Sequence, residues 1–271
     1  MNIAELMRAS ALSGMEAVDA RVLMRATLGV DDAYLIAHAD DELSAQHAAQ
    51  FRALAARRAA GEPVAYLVGE REFYDHVFKV TPAVLIPRPE TELLVELALQ
   101  HQPKNLLDLG TGSGCIAISI ALALPAARVT ALDRSDAALA VARENAAVLK
   151  ARNVTLLCGE WFEAVRGQRF DTIVANPPYV ADGDAHLTQG DLRFEPASAL
   201  AAGVDGLADI RCIVAGARAH LTPGGWLLFE HGHDQAPRCR ELLSCAGFND
   251  VQSWHDLAGI ERVSGGCAPS L

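Results

Sequence analysis

The amino-acid sequence predicts an α/β protein with a doubly wound, mainly parallel sheet, preceded by a small helical domain and a β-hairpin linker. From Thr91 onward, short apolar runs alternate with amphipathic helical segments, the pattern of repeated strand–helix units. Before that point, apolar residues recur at helical spacing and then give way to a stretch rich in β-branched and aromatic residues. We expect a helical domain over 1–70, a hairpin and linker over 71–90, and the α/β domain over 91–271.

The individual elements follow from these patterns in chain order. Glycines at 14, 29 and 61 punctuate the N-terminal helices. Asp75-His76 splits Phe73-Tyr74 from the run 77–80 in the manner of a hairpin, and Pro89 suits the first turn of the next helix. Strands are predicted over 106–109, 128–133, 154–158, 170–175, 226–230 and from 248, with helices ending near 100 and over 116–124, 136–149, 207–220 and 235–246.

Composition narrows the class of protein. The 271 residues are 51% hydrophobic, enough for large cores, and the net charge of −11 argues against broad attraction to a nucleic-acid backbone. The six cysteines are scattered without a C-x2-C pair or a secretory segment, which favours reduced thiols. Apolar stretches long enough to span a membrane are not found, so we expect a cytoplasmic protein with no membrane partner.

The tetrapeptide Asn176-Pro177-Pro178-Tyr179 follows the strand predicted over 170–175. Its prolines cannot continue a sheet, so free carbonyls, an amide oxygen and an aromatic ring remain beyond the strand end. This set suits a planar group that bears an NH2, because the two hydrogens need two acceptors and the π-system can stack on Tyr179. A Pro-rich turn whose Asn caps the next segment, and whose Tyr merely packs, is the structural alternative.

A glycine-rich turn, Gly110-Thr111-Gly112-Ser113-Gly114, follows the first strand of the α/β domain. Its glycines permit a tight turn and close approach of a ligand to the backbone. The spacing is G-x-G-x-G, and Asp108 just before it would repel phosphate but suit an amine. A purely structural turn is the alternative.

Asp133 ends the second strand, where a carboxylate can accept hydrogen bonds from both hydroxyls of a ribose; helix capping is its alternative role. Together with the glycine turn it outlines a nucleoside site without a phosphate site, which S-adenosylmethionine fits. Trp161 after the third strand is a candidate wall for the adenine ring and Glu160 a partner for its amine, although a Trp there also suits a core position.

With these residues the chain resembles the bacterial peptide chain release factor glutamine methyltransferases (PrmC/HemK family), which are class I S-adenosylmethionine-dependent enzymes. The resemblance covers nearly the whole chain. The segments that carry it are Gly61-Glu62-Pro63, Glu72-Phe73-Tyr74, Leu85 to Glu92 (LIPRPETE), Asp108 to Gly114, Asn176 to Tyr179, Gln189 to Pro196 (QGDLRFEP) and Leu228 to Gly232 (LFEHG).

The resemblance implies a seven-stranded Rossmann-like methyltransferase sheet and methylation of the side-chain amide nitrogen of the glutamine in the Gly-Gly-Gln loop of class 1 release factors. It implies that the N-terminal helical domain helps to dock the release factor. It also implies a cofactor site made of Gly110, Thr111, Gly112, Ser113, Gly114, Asp133, Trp161 and Asn176. The chain departs from the family after Val263, so we expect the last strand to be shortened.

Positioning must carry the catalysis, because an amide nitrogen is a poor nucleophile and no base in the motif would deprotonate it. We expect the Asn176 side-chain oxygen and the Pro177 carbonyl each to accept one N–H, and Tyr179 to stack on the amide plane. Asn176, Pro177 and Tyr179 are therefore the predicted catalytic residues. With Pro178 they form the predicted substrate site.

Other interpretations remain open from the sequence. The same loop serves an exocyclic amine of a nucleic-acid base or another protein substrate, although the net charge disfavours duplex DNA. A non-catalytic adaptor that keeps the cofactor only structurally is a further alternative. Arg88 and Glu195 either shape the substrate groove or form a structural ion pair, and His231 with His233 makes no complete metal site.

Overall fold

The structure, a computed structural model, describes residues 1–12 and 14–270. Within those ranges it describes every side chain except those of Ala11, Leu12, His186 and Thr188. The chain divides into two compact units. The smaller comprises Met1–Glu70 together with Gln189–Phe194, and the larger comprises Arg71–Thr188 together with Glu195–Leu271.

The smaller unit is helical, as the apolar spacing predicts. Its core contains Leu23, Met24 and Phe51, all fully buried. The helices are α1 (Ile3–Leu12), α2 (Ala17–Leu28), α3 (Asp32–Ala37), α4 (Ala45–Ala59) and α5 (Val64–Val68).

The segment Gln189–Phe194 is held within this helical unit by two arginines. Arg58 pairs with Asp19 of α2 at 2.6 Å and with Asp191 of the segment at 2.9 Å. Arg193 of the segment donates to the carbonyl of Ala60 at 2.8 Å. The helical unit is therefore discontinuous in sequence.

The hairpin β1 (Glu70–Phe73) and β2 (His76–Lys79) connects to the larger unit's core. Phe73 and Phe78 are buried there, and the Lys79 backbone N–H donates to the Asn145 side chain at 2.8 Å. The predicted hairpin is confirmed, and its strand β2 packs as part of the larger unit.

The larger unit is built on a twisted sheet with helices on its faces. A 3₁₀ turn over Pro89–Thr91 precedes α6 (Glu92–Gln100). The remaining elements are β3 (Asn105–Leu109), α7 (Cys115–Ala123), β4 (Arg128–Asp133), α8 (Asp136–Val148), β5 (Val154–Cys158), β6 (Phe170–Ala175), α9 (Ala208–His220), β7 (Leu221–Glu230), α10 (Ala236–Cys245), β8 (Asn249–His255) and β9 (Glu261–Cys267).

Among the described residues, seven strands form this sheet in the order β5-β4-β3-β6-β7-β9-β8. The first five strands in that order are parallel, whereas β9 is antiparallel to both of its neighbours. The predicted doubly wound, mainly parallel fold is confirmed. Strand β3 lies between β4 and β6, so the strand order reverses there, and ligands of such sheets bind beyond the carboxyl ends of the strands at this point.

The last strand differs from the expectation. We expected it to be shortened, yet β9 runs over seven residues and pairs with both neighbours. Gly265 and Gly266 explain how: a Cβ at Gly265 would lie 2.5 Å from the Leu227 carbonyl oxygen, and one at Gly266 would lie 2.9 Å from the Phe248 Cβ. Glycine thus lets the neighbouring strand and loop approach closely here.

A search of the described residues finds no helix that is both long and apolar enough to cross a membrane.

Candidate active site

A cavity of about 280 Å³ lies beyond the carboxyl ends of β3, β4 and β6 in the larger unit. This volume is near the lower end of the range typical of small-molecule sites, about 300 Å³ upward. The residues predicted for the cofactor and acceptor sites that line it are Gly110, Thr111, Asp133, Trp161, Asn176 and Pro178. The fold thus brings together residues that follow four different strands.

The three glycines of the turn after β3 serve two different purposes. All have positive φ, and no described atom lies within 4 Å of a Cβ built on Gly110 or Gly112. A Cβ on Gly114 would instead lie 2.8 Å from the Ile118 Cδ1 and 3.3 Å from the Ala142 Cβ. The first two glycines leave an open cradle at the turn, whereas the third lets α7 and α8 pack closely. Of the predicted turn residues, Gly112, Ser113 and Gly114 do not line the cavity.

Asp133 is half-buried at the end of β4 and fixes the glycine turn. Its Oδ2 accepts from the Gly112 N–H and its Oδ1 from the Ser135 N–H, both at 2.9 Å. Helix capping falls to Ser135, whose hydroxyl accepts from the Ala138 N–H at 3.2 Å. Each carboxylate oxygen of Asp133 keeps acceptor capacity for a ligand hydroxyl, since an ionised carboxylate has about four lone-pair sites.

Asp108 is fully buried beneath the glycine turn. Its Oδ2 accepts from the Thr111 hydroxyl at 2.6 Å, whereas its Oδ1 has no partner among the described residues. Burial raises the pKa of this carboxyl to about 7, and the nearby Asp133 adds to the rise. A buried acceptor without a donor is costly to keep. The open turn at Gly110 and the carboxylate of Asp133 line the cavity and together fit a nucleoside such as S-adenosylmethionine, while Asp108 lies buried beneath them.

Trp161 lies on the cavity wall in an unusual backbone conformation. Its φ of 47° is in the left-handed region, which bulky side chains rarely adopt. Its side chain packs against a buried cluster that includes residues of β6, β7 and α9. Exposed Glu160 also lines the cavity and pairs with Arg134 at 3.6 Å. The structure thus places Trp161 where the sequence predicted an adenine wall, and its contact with the ring stays a prediction.

The Asn-Pro-Pro-Tyr segment begins directly after β6. Asn176 and Pro178 line the cavity, whereas Pro177 is buried and does not line it. The Asn176 Nδ2 donates to the Thr91 Oγ1 at 3.2 Å. The Tyr179 ring packs against the same buried cluster as Trp161, and its hydroxyl donates to the Glu230 Oε1 at 3.1 Å. The role of Tyr179 as a stacking platform stays a prediction.

Arg88 and Glu195 pair with each other, which was the structural alternative for these two residues. The Glu195 side chain is fully buried, and it also accepts from the Ile86 N–H at 3.0 Å. Arg88 lines the cavity. The ion pair therefore fixes the 86–88 stretch of the cavity wall.

The surroundings of His231 indicate a structural role. It is buried, and its Nε2 lies 2.8 Å from the Ser264 Oγ while its Nδ1 lies 2.8 Å from the Gly232 carbonyl oxygen. Burial lowers the pKa of this imidazole. Among the described residues, no group of three or more His, Cys, Asp or Glu side chains is placed to hold a metal ion.

Three residues that the sequence patterns do not mark as site residues support the acceptor segment: Thr91, Glu230 and Gln235. Thr91 donates to the Glu230 Oε2 at 2.6 Å, and the Gln235 Nε2 donates to the Tyr179 carbonyl at 3.0 Å. Burial raises the pKa of Glu230, and the hydrogen bonds from Thr91 and Tyr179 oppose that rise. An acidic residue at the carboxyl end of an apolar strand, as in Leu228-Phe229-Glu230, was the available signal.

Two comparisons of sequence agree on the family. Residues 3–69 match the family model described as the PrmC N-terminal domain, and residues 89–200 match the methyltransferase small domain. The release factor glutamine methyltransferase of Bordetella pertussis is 55% identical over 258 residues, which are 93% of this chain and 95% of that protein. The protein of the same name from Escherichia coli K12 is 43% identical over 91% of this chain and 90% of its own length.

Solved structures share the fold of the larger part of the chain. A methyltransferase from Pyrococcus furiosus has a TM-score of 0.55 at 18% identity, covering 71% of this chain and 88% of that one. A 16S rRNA N2 G1207 methyltransferase from T. thermophilus, solved with AdoMet and guanosine, also has a TM-score of 0.55, at 21% identity over 73% of this chain and 49% of that one. At 43% and 55% identity over at least nine-tenths of its length, the chain belongs to the release factor glutamine methyltransferase family, and it is an S-adenosylmethionine-dependent methyltransferase.

Proposed function

We propose that the chain transfers a methyl group from S-adenosylmethionine to the side-chain amide nitrogen (N5) of the glutamine in the Gly-Gly-Gln loop of class 1 peptide chain release factors. The observation that carries this proposal is the placement of Asn176 on the cavity wall, with its amide nitrogen already engaged by Thr91. Its side-chain oxygen then remains for a substrate N–H. The identity of the substrate protein rests on the names of the relatives.

The cofactor site consists of residues at the ends of β3, β4 and β5 and beyond β6. Asp133 would accept from the ribose hydroxyls, the open turn at Gly110 would admit the ligand close to the backbone, and Trp161 would cover the adenine. When bound, S-adenosylmethionine supplies an electrophilic methyl group on a sulfonium. The net charge of the protein should have little effect on cofactor binding, because these contacts are short and local.

The acceptor site works by holding a weak nucleophile in place. The Asn176 side-chain oxygen and the Pro177 carbonyl would each accept one N–H of the glutamine amide, and both stabilise the positive charge that develops on nitrogen. Such pre-organisation supplies roughly 7–11 kcal/mol in favourable cases. The proton that is lost passes to solvent or to a carbonyl, so no dedicated base is needed.

Tyr179 is proposed to cover the amide plane of the glutamine. Its hydroxyl donates to Glu230, and its backbone carbonyl accepts from Gln235. The position of the ring is therefore restrained by hydrogen bonds of both the side chain and the backbone. A ring held in this way can restrict rotation of the substrate amide and exclude water.

The helical unit, Met1–Glu70 with Gln189–Phe194, is proposed to dock the release factor. Support comes from the match of residues 3–69 to the PrmC N-terminal domain. Because release factors act on cytoplasmic ribosomes, we place the reaction in the cytoplasm. The net charge of −11 argues against direct binding of duplex DNA.

Methyl transfer from labelled S-adenosylmethionine tests the proposal. The purified protein is incubated separately with a class 1 release factor, with DNA and with RNA, and mass spectrometry locates the label. We expect one methyl group on the loop glutamine. A release factor in which Asn replaces that glutamine is the matched control and should stay unlabelled.

Label in nucleic acid but not in release factor would overturn the proposed substrate and favour a base methyltransferase. Failure to label any of the three, with intact cofactor binding, would favour the adaptor. The family relationship disfavours both results.

A further inference from the structure

Thr91 and Glu230 are buried polar residues beside the cavity, with exposed fractions of 2% and 1%. Thr91 precedes α6, and Glu230 is the last residue of β7. The Thr91 Oγ1 lies 2.6 Å from the Glu230 Oε2 and 3.2 Å from the Asn176 Nδ2. These distances form a continuous chain of hydrogen bonds from the carboxylate to the acceptor amide.

The donor and acceptor roles in this series of hydrogen bonds follow from the number of hydrogens available. Both oxygens of Glu230 accept from hydroxyl groups, Oε2 from Thr91 and Oε1 from Tyr179. Thr91 has a single hydroxyl hydrogen and gives it to Glu230. Toward Asn176 the Thr91 oxygen can therefore only accept.

The amide of Asn176 must then turn its NH2 toward Thr91. Its oxygen is left on the other side of the planar group, and no hydrogen bond to that oxygen is found among the described residues. The opposite orientation would set an NH2 against the substrate NH2, and two donors cannot bond to each other. The donor and acceptor roles in this series of hydrogen bonds thus decide whether the Asn176 oxygen can accept a substrate N–H.

We propose that Thr91 and Glu230 are positioning residues that orient the Asn176 amide, so that its oxygen accepts an N–H of the substrate glutamine. This inference rests on the proposed function. Thr91 touches Asn176 directly, and Glu230 acts through Thr91. The same carboxylate also holds the Tyr179 hydroxyl, so Glu230 ties the first and last residues of the Asn-Pro-Pro-Tyr segment to the end of β7.

Thr91→Val tests the proposal, because valine keeps the shape of threonine and removes only the hydroxyl. We expect kcat for release factor methylation to fall about tenfold or more, since the Asn176 amide loses its orientation. The dissociation constant for S-adenosylmethionine should change much less than kcat, because Asn176 is the one predicted cofactor residue for which a hydrogen bond to this hydroxyl is found among the described residues. Thr91→Ser, which retains the hydroxyl, should recover most of the lost rate.

Thr172→Val is the matched control. Thr172 is equally buried, with an exposed fraction of 1%, and lies in β6, the strand that leads to Asn176. Its Oγ1 has no partner among the described residues, so its removal should leave kcat unchanged. The stoichiometry of cofactor binding by calorimetry counts the folded enzyme in each preparation, which separates a loss of rate from a loss of fold.

Wild-type kcat in Thr91→Val would overturn the inference, as would an equal loss in Thr91→Val and Thr91→Ser. If Thr91→Val does not fold, Thr91→Ala removes the same hydroxyl and is judged by the same criterion. Both results leave the proposed function standing, because that fails only if the wild-type enzyme does not methylate the release factor glutamine.

Discussion

The glycine-rich turn after β3 and the Asn-Pro-Pro-Tyr segment after β6 lie at the ends of adjacent strands, yet they are held in different ways. The turn is fixed by backbone groups and by a carboxylate from the next strand: Gly110 and Thr111 donate to the Leu132 carbonyl, and Gly112 donates to Asp133. The acceptor segment is fixed by side chains from distant parts of the chain, Thr91 and Glu230.

Because of this difference, the two regions should respond differently to substitutions. The turn is held through its backbone N–H groups by the neighbouring strand, so it depends on the conformational freedom of glycine and on one carboxylate. The acceptor segment depends on a network in which Thr91 and Glu230 each bond two other side chains, and partly satisfied buried networks are costly. Four substitutions test whether the two regions are held in these different ways.

Asn176→Ala should have the largest effect. We expect kcat to fall roughly 10²–10³-fold, or about 3–4 kcal/mol, because the acceptor for one substrate N–H is lost. Cofactor affinity should fall less, which calorimetry measures. Asn249→Ala, at an exposed position of β8, serves as the control. Turnover at the wild-type rate would show that Asn176 does not orient the substrate.

Asp108→Asn tests the buried carboxyl beneath the glycine turn. Its pKa is about 7 in the folded chain against 3.8 for the ordinary group, so the folded state holds a proton that the unfolded state has lost. Its contribution to stability is therefore full below pH 3.8 and is lost as the pH rises to about 7. Between pH 5 and pH 7 the loss amounts to about 2 kcal/mol.

The variant should lack this part of the pH dependence. Denaturant unfolding of both proteins at pH 5, 6, 7 and 8 measures it, and the difference between them should level off above pH 7. Parallel curves for the two proteins at all four values would contradict the raised pKa.

Tyr179→Phe removes the hydroxyl and keeps the ring. We expect unfolding to become easier by about 1–2 kcal/mol, because one oxygen of buried Glu230 loses its donor. A fall of a few-fold in kcat should accompany it. Tyr34→Phe, in α3 of the helical unit and 41% exposed, is the matched control and should be nearly neutral. Equal stability of both variants would mean that the Tyr179 hydroxyl is not part of the network.

Asp133→Asn should have the smallest effect of the four. The amide keeps one acceptor oxygen but places an NH2 near the N–H of either Gly112 or Ser135. We expect cofactor affinity to fall about tenfold, or about 1.4 kcal/mol, with kcat at saturating cofactor changed less. Asp136→Asn at the exposed start of α8 is the control. A loss confined to kcat would move Asp133 out of the cofactor site.

Much of the fold could be predicted because its patterns are local. The ends of β4, β5 and β6 match the predicted ranges at both termini. The start of β7 was missed: we predicted 226, but the strand begins at Leu221 and contains Pro223-Gly224-Gly225, which normally break strands. An irregular pairing with β6 accommodates these residues, and no local pattern signals it.

The candidate site divides in the same way. Gly110, Asp133 and Asn176 could be found because each directly follows or ends a recognisable strand. Thr91 could not, since a threonine before a helix predicts a capping role, and here its hydroxyl donates to Glu230, far away in the sequence. Long-range pairing of single polar side chains leaves no periodicity from which to predict it.

The return of Gln189–Phe194 to the helical unit has a consequence for synthesis of the chain. Domains usually fold as they emerge from the ribosome, the N-terminal one first. Here α4 emerges with Arg58 paired only to Asp19, and Asp191 and Arg193 arrive after most of the sheet strands have been made. The first unit to leave the ribosome is thus completed only when residues 189–194 have been made, and a nascent chain stalled before residue 189 would carry an unfinished one.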